Sequence, residues 1–326
     1  MAIRLTFFWI MIQLTIESTD VTDFACDVLV LKYAQKFFGA DTVVASALMA
    51  RHGQIEISPT PGDHILVPSE GAIAAHNVLF VGVVPLSQFD YSEIRAFATC
   101  ALTILSEESP EARHVGMTIH GVNYGWDERE AFLAQLGGIM DADKKGVSVE
   151  RVSIIERGAG RAARLKAILK ETWPGSRTPT TTTEPPRQSQ QITAGAGSRS
   201  KPHVFVAMPF SKELQDVYVF GIQGPVNTAG YLCERVDMTT FTGDILDRIK
   251  SRIETATLVI ADLTGANANV YLEVGYAWGK NRPTLLLAKK GDALEFDVQG
   301  QRCIVYENIV DLSKKLQVDL MALNMV

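Results

Sequence analysis

The chain has 326 residues, 47% of them hydrophobic and 21% charged, with a formal net charge of −6. That length allows two domains with sizeable cores, and the acidic balance excludes the basic footprint that a nucleic-acid partner requires. Cys26, Cys100, Cys233 and Cys303 stand far apart with no metal-binding spacing, and read as reduced thiols of a cytosolic protein.

The apolar run Leu5 to Ile12 follows Arg4 but is too short to span a bilayer. No small-residue cleavage site precedes Glu17-Ser18-Thr19-Asp20, so neither export nor a membrane partner is expected. Met11 opens a cleaner alternating strand, which leaves Met1 and Met11 as alternative starts. Strands are then predicted over Gln13–Ile16, Cys26–Tyr33, His64–Pro68, Asn77–Val84, His114–Ile119 and Arg151–Glu156, with helices over Tyr91–Leu105, Asp127–Met140 and Gly160–Thr172. Continuous apolar runs such as Val28-Leu29-Val30-Leu31 belong to a mainly parallel sheet covered on both faces.

From Pro174 to Lys201 the chain is dominated by Pro, Thr, Ser and Gly, a composition that cannot bury enough surface to offset its ordering entropy. A flexible linker is therefore expected over 174–201, between a first domain over 1–173 and a second over 202–326. The second domain predicts strands His203–Met208, Leu232–Val236, Leu258–Ala261, Thr284–Ala288 and Arg302–Tyr306. Helical patterns cover Lys212–Gly230, Asp244–Thr255, Val270–Gly279 and Ile309–Leu320. This strand–helix rhythm is that of a doubly wound parallel sheet of the flavodoxin-like kind.

In such a sheet ligands bind beyond the carboxyl ends of the strands. Ala207-Met208-Pro209-Phe210 puts a rigid turn and a flat ring at the end of the first strand, and Asp237 and Asp244 follow the second. After the third come Asp262, Thr264, Asn267, Asn269 and Glu273. Asn269 is a candidate N-cap, and Glu273 shares a helix face with Val270 and Ala277 by three- and four-residue spacing. Those neighbours turn the carboxylate inward, although a glutamate in a first turn also complements the helix dipole. An aromatic platform, hydroxyl partners and an inward carboxylate suit cleavage of a sugar–base bond through an oxocarbenium-like state. The chain has no GxxxxGK[ST] loop and no GxGxxG after the first strand, which disfavours a kinase, an NTPase or a dehydrogenase. No cofactor and no metal is expected.

The AMPF turn, Gly243-Asp244-Ile245, the block from Ala261 to Ala277 and Lys280-x-x-Pro283 together resemble the nucleoside 2-deoxyribosyltransferase-like group, which is related to TIR-type NAD-cleaving domains. The resemblance covers roughly Pro202 to the last residue. It implies that Glu273 attacks the ribose anomeric carbon and that Asp262 fixes either the sugar hydroxyls or the nucleophile. It further implies that Phe210 stacks on the base, with Asp244, Thr264, Asn267 and Asn269 as substrate contacts.

In the first domain a strand runs into His120-Gly121-Val122-Asn123-Tyr124-Gly125-Trp126-Asp127, where glycines admit close backbone approach and Asp127 opens a helix. His120, Gly121, Tyr124, Gly125 and Asp127 are its candidate ligand residues, with an ordinary strand-to-helix turn as the other reading. The order Thr19-Asp20-Val21, Cys26–Val30, Val78–Gly82 and the HGxxYG loop resembles the macro-type α/β/α fold of leucine aminopeptidase amino-terminal domains. That resemblance implies a nucleotide-sensing domain. The pairing across a linker resembles bacterial antiphage effectors, so NAD or a nucleotide as substrate, a nucleotide-derived signal and a homo-oligomer are expected in the cytoplasm. The alternative is a non-catalytic nucleotide-binding signalling module.

Overall fold

The computed structural model describes residues 12–53, 55–122, 124–173, 193–236, 243–292, 298 and 300–323. The apolar run before Met11, most of the expected linker (174–192) and Asp237 lie outside the described residues. The chain forms two compact units, one of Met1–Gly121 with Glu128–Ser198 and the other of Val122–Asp127 with Arg199–Val326.

The first unit runs β1 (Gln13–Glu17), β2 (Val28–Tyr33), α1 (Ala40–His52), β3 (His64–Pro68), β4 (Asn77–Gly82), α2 (Tyr91–Glu108), β5 (His114–Thr118), α3 (Glu128–Lys144), β6 (Arg151–Ile155) and α4 (Ala159–Thr172). Its sheet has the order β1-β6-β5-β2-β4-β3, with β3 antiparallel to β4 and the other pairs parallel. Leu29, Leu31, Val78 and Phe80 pack with Val44, Ala45 and Leu48 of α1. Val28, Val30, Leu79 and Val81, which alternate with them, are equally buried, so both faces of the sheet are covered.

Helix α1 carries no start signal that a sequence reading detects, and none is predicted there. Gly39 caps it without a side-chain bond, and exposed Val43 and Met49 blur its apolar stripe. The opposite case is α2, where Asp90 accepts from the backbone N–H groups of Ser92 and Glu93 at 2.8 and 3.2 Å.

The close packing of α2 on α3 depends on small residues. A Cβ on Gly138 would lie 2.2 Å from the Arg95 carbonyl oxygen and 2.9 Å from the Ala98 Cβ. Gly138→Ala is therefore expected to destabilise the first unit by about 2 kcal/mol, although alanine gains about 1 kcal/mol in helix propensity. Thermal unfolding checks this, and a stabilised variant would contradict it.

Residues 193–198, at the end of the expected linker, pack within the first unit. Ala194 and Ser198 are buried. The Ala194 carbonyl accepts from Arg95 Nη1 at 2.8 Å, and Ser198 Oγ donates to Glu130 Oε1 at 2.6 Å. Gly195 has φ +87°, and a Cβ there would meet Arg95 Cβ at 2.8 Å and Tyr91 O at 2.9 Å. A segment too poor in apolar side chains to form a core of its own is held by fitting small residues against α2.

The second unit runs β7 (His203–Ala207), a π-helical turn (Val217–Gln223), α5 (Gly224–Thr228), β8 (Leu232–Glu234), α6 (Gly243–Thr255), β9 (Leu258–Asp262), α7 (Ala268–Gly279), β10 (Thr284–Lys289), β11 (Cys303–Tyr306) and α8 (Ile309–Leu323). The sheet order β8-β7-β9-β10-β11 is that of a flavodoxin-like doubly wound sheet, and every pair is parallel. Phe205, Ala207, Val259 and Ala261 face α6 and α7 through Ile249, Ile253, Val270 and Val274. Val204, Val206, Ile260 and Leu287 face the π-helical turn and α8 through Val219, Ile222, Leu312 and Leu316. The helix expected over Lys212–Gly230 is thus shorter and split, since its middle adopts the wider π-helical winding. The two units together are the two α/β domains expected.

Candidate functional site

In the second unit, β7 pairs with β8 on one side and β9 on the other. The chain order reverses between β7 and β9, so the crevice beyond their carboxyl ends is the topological switch point where such sheets hold ligands. Phe210 follows β7 and is 56% exposed. Asp262 ends β9, and the loop after it leads straight into α7.

Asp262 is fully buried, and both of its oxygens are used within the protein. Oδ1 accepts from the Thr264 backbone N–H at 3.0 Å, and Oδ2 accepts from the Tyr306 hydroxyl at 3.0 Å. Because the Tyr306 hydroxyl donates to Asp262, its oxygen accepts from the Thr264 hydroxyl at 3.1 Å. Thr264 Oγ1 in turn accepts from the Lys289 backbone N–H at 3.1 Å. Burial pushes the Asp262 carboxyl upward, against the bonds from Thr264 and Tyr306. Burial and the Asp262 charge raise the Tyr306 phenol. These bonds tie β9, β10 and β11 to the loop that follows Asp262.

The loop itself is tight. Gly265 and Ala266 have φ of +76° and +51°, and the Gly265 N–H donates to Asp292 Oδ2 at 3.0 Å. The N-cap of α7 is Asn267, whose side chain accepts from the Asn269 N–H at 2.9 Å. This corrects the expected cap at Asn269, which instead lies exposed in the first turn. The two-residue alternation of asparagines makes the positions interchangeable by type, and the backbone direction at Asn267 decides between them.

Glu273 lies one turn farther along α7. Val270, Val274 and Ala277 around it are buried on the sheet, and Glu273 is half-buried beside them. Its carboxyl has no hydrogen-bond or ion-pair partner among the described residues. Burial alone pushes it up to about 8 from an ordinary value near 4.5. A desolvated carboxyl without a partner costs the fold stability, and such groups concentrate at functional sites. Asp244 falls in the first turn of α6, and its side chain lies outside the described residues. Thr264 and Asn267 are half-buried in the loop between Asp262 and α7.

Sequence reasoning missed two residues here. Tyr306 lies in the last strand, more than forty positions from Asp262, and only the parallel pairing of β9, β10 and β11 brings them together. Arg235, after β8, places its guanidinium carbon 3.8 Å from the Tyr218 ring centroid and 5.8 Å from that of Phe210. Arg235 lies near the end of the strand predicted over Leu232–Val236, and its charge there is what the sequence shows of it.

His120, Gly121, Tyr124, Gly125 and Asp127 all stand on the segment between β5 and α3. His120 and Gly121 belong to the first unit, and Tyr124, Gly125 and Asp127 to the second. His120 is fully buried against Phe97, its ring nitrogens have no hydrogen-bond partner, and burial with the nearby Lys32 charge holds it neutral. Helix α3 begins at Glu128 rather than Asp127. Glu128 in its first turn is paired with Arg161 and Arg164. Asp127 accepts from the Cys233 N–H at 3.0 Å and from Asn227 Nδ2 at 2.9 Å within the second unit. No group of His, Cys, Asp or Glu able to hold a metal occurs among the described residues, and no described helix is long and apolar enough to cross a membrane.

No protein-family profile and no curated protein matches the chain. Among solved structures it is similar to a variant of the Oceanobacillus iheyensis macrodomain with ADPR, at 16% identity over 48% of this chain and 91% of that one, with a TM-score of 0.38. It is similar to the Trypanosoma brucei macrodomain in complex with ADP, at 16% identity over 48% of this chain and 69% of that one, with a TM-score of 0.40. It is also similar to a Clostridium botulinum CMP N-glycosidase, at 16% identity over 35% of this chain and 98% of that one, with a TM-score of 0.30. At such identities and scores, function has to be read from this chain's own residues.

Proposed function

We propose that the second unit cleaves the N-glycosidic bond of NAD or of a nucleoside or nucleotide, with Glu273 as the carboxylate that attacks the anomeric carbon. The observation that carries this reading is the half-buried, unpartnered carboxyl of Glu273 on the sheet-facing side of α7. The ribose lies over the switch point, and Phe210 offers its open face to the base. Asp262, through Thr264 and Tyr306, holds the loop that aims α7. Attack by the ionised carboxylate expels the base and leaves a glycosyl-enzyme ester, which water then hydrolyses. The first unit senses a nucleotide-derived signal, in the manner of a cytoplasmic antiphage effector that works as an oligomer.

The test is release of free base when the purified chain is incubated with NAD, nucleosides and nucleotides, alone and with candidate cyclic nucleotides. A nucleophile must be ionised, and Glu273 in the free chain is ionised only as the pH passes about 8. The rate at low substrate is therefore expected to rise with pH and level off above that point. A rate that falls through the same range would make Glu273 an acid and overturn its role as nucleophile. A second reading, a nucleotide-binding module without turnover, is favoured by the same protonation, which leaves the resting carboxyl largely neutral at pH 7. Nucleotide binding without base release under every trigger would select it.

A further inference from the structure

β8 is an edge strand of the second sheet, and the backbone N–H and C=O groups on such an edge need cover. The cover comes from Val122–Asp127, a segment of the second unit whose neighbours on both sides, Gly121 and Glu128, belong to the first. Buried Asp127 accepts through Oδ2 from the Cys233 N–H of β8 at 3.0 Å and from Asn227 Nδ2 at 2.9 Å. Tyr124 forms an antiparallel bridge with Val236, just beyond β8. Gly125 has φ +103°, and a Cβ there would meet Val236 Cγ2 at 2.9 Å, so glycine is what lets the two stretches approach this closely. Buried Trp126 faces two guanidinium groups one helical turn apart on α6, with Arg248 4.4 Å and Arg252 4.9 Å from its ring centroid. Arg252 also donates to buried Glu234 of β8 at 2.7 Å, so the segment, β8 and α6 form one block.

α6 is tied in turn to the helix that carries Glu273. Glu254 of α6 accepts from the Tyr276 hydroxyl at 2.5 Å and pairs with Lys280 Nζ at 2.6 Å, and Tyr276 stands one turn after Glu273 on α7. We propose that Val122–Asp127 is a strap through which the first unit governs the glycoside site. Seated, it holds α6, and through α6 it holds α7, in the arrangement that turns over. A change in the first unit that draws on the end of β5 or the start of α3 unseats it. The consequence for turnover rests on the reading of Glu273 as nucleophile, and the seating of the strap does not.

Amide hydrogen exchange at Cys233 and base release, both measured on the full chain, test this together. Trp126→Ala and Asp127→Ala are each expected to speed exchange of the Cys233 amide at least about tenfold. The same variants should lower base release by about 10- to 100-fold, the scale of a small misplacement made far from the chemistry. Trp126→Phe, which keeps a ring for both arginines, should retain protection and activity. Gly138→Ala, which weakens the first unit, should also speed the Cys233 amide, and two glycines inserted on each side of the strap should cancel that effect. A Cys233 amide indifferent to Asp127→Ala overturns the seating whatever the activity. One indifferent to Gly138→Ala shows that the strap passes nothing on, and overturns the proposal as well. Faster exchange with base release undiminished separates the strap from turnover and does the same. If no form of the protein releases base while the exchange results hold, the glycoside reading fails and the strap's role in turnover fails with it, whereas its seating is upheld.

Discussion

Replacing Glu273 by glutamine is expected to abolish base release and, in the same variant, to stabilise the second unit at alkaline pH. The loss of activity should be at least about 1,000-fold, the scale seen when a nucleophile is removed. The gain in stability follows from linkage. The unfolded carboxyl ionises near 4.5 and the folded one near 8, so between these values the folded state holds one more proton than the unfolded state. Stability contributed by the neutral carboxyl is present below 4.5 and is lost as the pH rises through 8. Glutamine is neutral throughout and escapes that loss. After allowance for partial solvent screening, the variant is expected to exceed the parent by about 2–3 kcal/mol at pH 8.5 and to match it near pH 4. Urea denaturation at the two pH values measures the difference. Equal stability at both would mean that the carboxyl is solvated in the fold, and base release surviving the substitution would remove its proposed role.

The second large effect belongs to the bond chain beneath the loop. Asp262→Ala leaves the buried Tyr306 hydroxyl and the half-buried Thr264 N–H without the carboxylate that accepts from both. The expected cost is about 2–4 kcal/mol, or on the order of 10 °C in Tm for a unit of this size. Tyr306→Phe removes one bond from the same carboxylate and is expected to cost about 1–2 kcal/mol. The double variant should cost less than the sum, because both changes break the same contact. Strict additivity would show that Asp262 and Tyr306 act separately, and a neutral Asp262→Ala would mean that the carboxylate does not hold the loop. If Asp262 only positions α7, Asp262→Asn should lower the rate far less than Glu273→Gln does. Equal losses would restore a direct role in chemistry.

Much of the architecture was legible in the chain. The apolar run Leu258–Ala261 bounded by Asp262 and Gly265 reads as a buried strand, and the structure extends it by one residue. The helix that carries Glu273 is legible to within two residues of its start, because Val270, Val274 and Ala277 repeat at helical spacing. The cap at Asn267 reads two residues late, since a one-dimensional pattern cannot say which of two asparagines turns its backbone into the extended region. Helix α1 escapes a sequence reading because Gly39 gives no capping signal and its apolar stripe is broken by exposed Val43 and Met49.

The local sequence was enough to decide that an unmatched glutamate would sit on the sheet-facing side of α7, because three- and four-residue spacing is a property of the helix itself. Its altered protonation was not decided there. Desolvation is a sum over everything packed around the carboxyl, and only the assembled β7–β9–α7 layer supplies it. The same holds for Asp262, whose place at a strand end was legible but whose bond from Tyr306 exists only once β11 joins the sheet. Arg235 shows the difference most plainly: its charge was visible in the sequence, but its place between Tyr218 and Phe210 exists only once β8 pairs with β7.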